Sequence, residues 1–131
     1  MVVGLIMRDY IFRGKRVDNG EWVEGYLGYN KVRKQYYIMD DVDSFPIPVH
    51  KESVGQYTGI KDRNGRKIFE GDIIQRAWNG YPTIYRVVFD GLLAAFIGEV
   101  KPYGQFTTFD GDGEYFEVIG NVFENENLLE G

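Results

Sequence analysis

A chain of 131 residues without cysteine excludes disulfide frameworks, thiolate zinc sites and thiol nucleophiles, and it is long enough to bury a core without such staples. With 44% hydrophobic and 27% charged residues it is globular in composition, and no stretch approaches the ~20 apolar residues of a membrane helix. The net charge of −5 is uneven: residues 1–89 carry fourteen Lys/Arg against eleven Asp/Glu, and residues 90–131 one Lys against nine acids, so general attraction to nucleic acid is disfavoured.

Period-two alternation runs along most of the chain, and no 3.6-residue stripe lasts ten positions, so strands are predicted throughout. The apolar start, Met1-Val2-Val3-Gly4-Leu5-Ile6, is too short for a secretory segment and has no basic residues before it. It reads as an extension outside the fold of a cytoplasmic protein. A first strand is expected at 10–12, ended by a turn at Arg13-Gly14-Lys15. Asp18-Asn19-Gly20 turns the chain into a strand at 22–29, and a basic link at 31–34 leads to its hairpin partner at 36–39. Pro46 and Pro48 bracket Ile47 and confine that segment to a sheet edge or an extended link.

Strands at 57–60 and 67–69 flank Lys61-Asp62-Arg63-Asn64-Gly65-Arg66, where Asn-Gly between apolar runs is a strong hairpin cue. Further strands are predicted at 73–78, 83–89, 92–97, 105–109 and 115–123, with one helical turn at 124–129. The spacing and the Gly-rich turns predict an all-β protein. It is divided into an N-terminal β-meander subdomain, residues 1–53, packed on a C-terminal SH3-like small barrel, residues 54–131. Trp22 and Trp78 are the expected core anchors.

Four stretches in order carry a resemblance. They are Phe12-Arg13-Gly14-Lys15; Gly20-Glu21-Trp22-Val23-Glu24-Gly25-Tyr26-Leu27; Val54-Gly55-Gln56-Tyr57-Thr58-Gly59-Ile60-Lys61-Asp62, running through Asn64-Gly65 to Phe69-Glu70-Gly71-Asp72; and Phe116-Glu117-Val118-Ile119-Gly120-Asn121-Val122-Phe123. Together they resemble the YopX family of phages and prophages, over roughly residues 7–129. The resemblance implies an all-β fold ending in an SH3-type barrel and a phage or prophage product in a bacterial cytoplasm. It implies no catalytic residue.

Within the third stretch, Gly55, Gly59, Gly65 and Gly71 supply bends or close approaches, and Asp62 and Asp72 are placed to cap turns. Gln56, Tyr57 and Thr58, with the hairpin bases Arg63 and Lys67, are the candidate binding residues. Asp110-Gly111-Asp112-Gly113-Glu114 begins like a calcium loop, but Tyr115 and Asn121 stand where an EF-hand needs Gly and Glu. Asp40, Asp41 and Asp43 are sequence neighbours that cannot all face one ion without a special loop, and Glu70 with Asp72 is an i, i+2 acid pair. His50 is the only histidine, and neither Ser44 nor Ser53 lies in a nucleophile elbow. No catalytic residue, metal or cofactor is assigned.

Ten bases (Arg13, Lys15, Arg16, Lys31, Arg33, Lys34, Lys61, Arg63, Arg66, Lys67) lie among Trp22, Tyr29, Tyr36 and Tyr37, which offers a nucleic-acid-binding small barrel as an alternative. A metal-dependent hydrolase using Asp/Glu is the third reading. The first is a non-enzymatic protein-interaction module that forms a homo-oligomer or engages a host or phage protein, with no membrane partner.

Overall fold

The computed structural model describes residues 10–40, 45–78, 81–100, 105–109 and 113–130, with all their side chains except those at 77, 78, 81, 105 and 106. Its strands are β1 (Phe12–Lys15), β2 (Trp22–Asn30), β3 (Gln35–Met39), β4 (Pro46–Val49), β5 (Gly55–Lys61), β6 (Lys67–Phe69), β7 (Asp72–Trp78), β8 (Tyr81–Asp90), β9 (Ala95–Val100), β10 (Gln105–Thr108) and β11 (Phe116–Asn121). Short 3-10 helices occupy Lys51–Ser53 and Glu126–Glu130. The protein is all-β, and no helix among the described residues is long and apolar enough to cross a membrane.

Two antiparallel sheets contain these strands, one of six in the order β4-β3-β2-β1-β5-β6 and one of five in the order β10-β9-β8-β7-β11. The SH3-like barrel expected over 54–131 is not formed as a closed sheet among the described residues. β10 and β11 end the second sheet on opposite sides, and β5 and β6 join the first sheet instead. The reason is local. Phe12 and Arg13 of β1 pair with Gln56 and Gly55, and Tyr57 N–H donates to the Ile11 carbonyl at 2.7 Å, so β5 continues the N-terminal sheet. A Cβ at Gly55 would lie 2.2 Å from the Glu70 carbonyl oxygen, an approach that only glycine permits.

The first sheet curls. β4 pairs with β3, yet its end also reaches β1, through an Arg16–Val49 bridge and a His50 N–H to Lys15 carbonyl bond of 2.9 Å. Arg13-Gly14-Lys15 is therefore strand and not the expected turn. Gly14 is there for contact: a Cβ would sit 2.8 Å from Val49 Cβ. Ile38 and Val49 are wholly buried in this region.

The larger core lies between β6 and the second sheet. Ile68, Ile74, Val87, Phe116 and Val118 are buried together, with Ile60, Tyr85 and Phe109 packed against them. Burial of each such side chain stabilises by about 1.5–3 kcal/mol. Trp22, expected as a core anchor, is only half-buried, and the Trp78 side chain lies outside those described. Leu92 and Leu93, expected in a strand, form a turn, and Leu92 is 98% exposed. Asp90 Oδ1 accepts from their N–H groups at 2.8 and 3.1 Å, as Asn30 Oδ1 does from Val32 and Arg33 in the β2–β3 turn.

Candidate functional site

The Asn64-Gly65 turn forms where the hairpin cue places it, with Gly65 at φ 81°, but its main fastening is Asp62. Asp62 Oδ1 accepts from the N–H groups of Asn64 and Arg66, both at 2.9 Å, and Oδ2 from Val118 N–H at 3.0 Å. One carboxylate thus builds the turn and ties it to β11 of the other sheet. Burial alone would raise this carboxyl; the N–H groups of Val118, Arg66 and Asn64 outweigh it and hold the group below its ordinary value.

Asp72 caps the next bend, its Oδ2 accepting from Phe69 N–H at 2.7 Å. Its Oδ1 lies 2.7 Å from Arg13 Nη1, a buried ion pair across the two sheets. Burial is the largest influence on Asp72 and pushes its carboxyl up, against the Arg13 charge and the Phe69 N–H. The Arg13 guanidinium carbon stands 4.9 Å from the ring centroids of both Trp22 and Phe69. Trp22 Nε1 in turn donates to Glu124 Oε1 at 2.9 Å, while Lys15 reaches Glu124 Oε2 at 2.6 Å. The bonds from Lys15 and then Asn121, with that from Trp22, hold the Glu124 carboxyl down at about 2.

Two clefts share Arg13, Trp22 and Asn121 as a wall. One, of about 250 Å³, reaches Ser53, Glu70, Arg86 and Phe123; the other, of about 440 Å³, reaches Lys61, Arg66, Lys67 and Phe69. A third groove, of about 620 Å³, lies at the other end of the first sheet between Tyr29, Arg33, Tyr37, Met39, Pro46 and Pro48.

The sequence-predicted binding residues divide among these places. Tyr57 is buried against Phe69, with ring centroids 5.6 Å apart, and Thr58 Oγ1 donates to the Ile68 carbonyl at 2.7 Å. Gln56 gives its carbonyl to Glu70 N–H at 2.9 Å. Lys67 lines the larger cleft and contacts Glu24 at 2.9 Å, whereas the Arg63 side chain is exposed. Sequence reasoning did not foresee that Arg13 and Asp72 meet, and no short-range signal marks a pair so distant in the chain.

Asp41, Asp43, Asp110 and Asp112 lie outside the described residues, as does Ser44. Among the described residues no group of three His, Asp or Glu is placed to hold a metal ion. Ser53 Oγ donates to the His50 carbonyl at 2.6 Å, not to its imidazole, and accepts from Lys15 N–H at 2.7 Å. It serves the backbone.

A family model described as YopX protein matches residues 11–130, almost the whole described chain. The chain belongs to the YopX family. No curated protein matches it. Among solved structures, this YopX chain is similar to protein EF1440 from Enterococcus faecalis, with a TM-score of 0.57 and 20% identity over 94% of this chain and 99% of that one. That likeness is one of fold.

Proposed function

We propose that this YopX protein is a non-enzymatic protein-interaction module of a phage or prophage, working in the bacterial cytoplasm and associating with a second copy of itself. The observation that carries the reading is the aromatic and proline-rich end of the first sheet. Tyr26 and Tyr29 are 57% and 50% exposed, and Phe45 is 73% exposed. Beside them runs the 620 Å³ groove floored by Tyr37, Met39, Pro46 and Pro48, with Arg33 at its side. Aromatic, Met and Arg side chains are the types enriched at the buried centre of interfaces.

Pairing strand to strand through β4 is disfavoured, because its prolines lack the N–H groups a new partner strand needs and its outer side already meets residues 15–17. Association face to face fits better, with the same patch used by both copies. A host or phage protein is the other occupant this surface suits. Light scattering at micromolar concentration tests the reading: the wild type should be a dimer or larger, and Tyr29→Ser/Tyr37→Ser a monomer. A monomeric wild type that also captures no partner on crosslinking in its host contradicts it.

A further inference from the structure

The 440 Å³ cleft gathers Arg13, Lys61, Arg66 and Lys67 against one lining carboxylate, Glu24. Lys67 is held to Glu24, and Arg13 to Asp72. Lys61 and Arg66 are exposed and form no salt bridge among the described residues. In a protein of net charge −5 this is a local surplus of positive charge, and it stands over an aromatic wall. Arg13, which also lines the cleft, is only 8% exposed and lies between the Trp22 and Phe69 rings.

We propose that this cleft binds a phosphate monoester, its phosphate held by Lys61 and Arg66 and its organic body laid against Trp22. Two exposed bases without a salt bridge among the described residues, Arg66 lying also in the field of Asp62 and Asp72, suit a dianion better than a single carboxylate. The cleft falls within the range of small-molecule sites, roughly 300–1,000 Å³, so it holds more than the phosphate group itself. The site is separate from the outer groove, and it stands or falls without the self-association proposed above.

Calorimetric titration of the full chain at fixed ionic strength tests it, with phenyl phosphate, inorganic phosphate, phenylacetate and a short single-stranded oligothymidylate as probes. Phenyl phosphate should bind more tightly than inorganic phosphate or phenylacetate. The double variant Lys61→Gln/Arg66→Gln changes only exposed side chains and should weaken phenyl phosphate about a hundredfold or more, the loss of two charge-assisted hydrogen bonds. Arg33→Gln, in the other groove, should leave it unchanged. Equal affinity in wild type and double variant overturns the site, as does no binding of phenyl phosphate at millimolar concentration. Binding of the oligonucleotide without phenyl phosphate also overturns it, in favour of a nucleic-acid groove.

Discussion

At the inner end of the six-stranded sheet, β5 and β6 bury Tyr57 against Phe69 and use the Thr58 hydroxyl, Asp62 and Asp72 to satisfy backbone groups. At the outer end, β2 to β4 leave Tyr26 and Tyr29 half exposed beside an open groove, although Tyr29 and Tyr36 touch with centroids 4.6 Å apart. The same residue types serve opposite ends. Where a second sheet covers the strands, polar groups are desolvated and must be paired, so they become fasteners. Where no described residue covers them, aromatic area stays exposed.

The strongest way to break this contrast is at the buried ion pair. Asp72→Ala leaves the Arg13 charge buried and unpaired and should cost about 3–5 kcal/mol by urea denaturation. Arg13→Met/Asp72→Leu should recover only part of that loss, because the Phe69 N–H stays without its acceptor. Tyr29→Ser at the outer end should cost about 1 kcal/mol, the ring contact with Tyr36. Similar costs for Asp72→Ala and Tyr29→Ser would erase the distinction.

A smaller effect sharpens the boundary between the ends, where Glu124 closes over Trp22. Its carboxyl sits at about 2 in the fold against an ordinary 4.5, so its contribution to stability is present above pH 4.5 and is lost as pH falls through about 2. Thermal melts across that interval should fall less steeply for Glu124→Gln than for wild type. Glu124 is largely exposed, so the difference is modest and shrinks with added salt. Parallel curves would mean that Lys15 and Trp22 do not hold the carboxylate in solution.

What the sequence made legible was local. Asn64-Gly65 marked its hairpin, Asp62 and Asp72 were recognisable as turn-capping residues, and Pro46 with Pro48 marked an edge strand. Each rests on backbone chemistry acting over a few residues. The turn at 91–94 was missed although Asp90 offers the same acceptor as Asn30, because the apolar Leu92 and Leu93 imitate a strand. Gly14 was misread for a related reason: glycine signals a bend or a close contact, and only Val49 across the curl decides which. The assignment of β5 and β6 to the first sheet, and the meeting of Arg13 with Asp72, depend on contacts between distant segments. Periodicity carries no information about such pairings. Of the candidate binding residues, Lys67 reaches a cleft, while Tyr57 and Thr58 face packing and backbone.

Amide hydrogen exchange tests most directly whether the Asp62 and Asp72 carboxylates act as fasteners. The N–H groups of Phe69 and Val118, each given to one of these carboxylates, should exchange only through near-global unfolding. Those of Val32 and Arg33, bound to Asn30 in the outer turn, should exchange through local opening on the order of a hundredfold faster or more. Comparable rates at the two places would contradict the account.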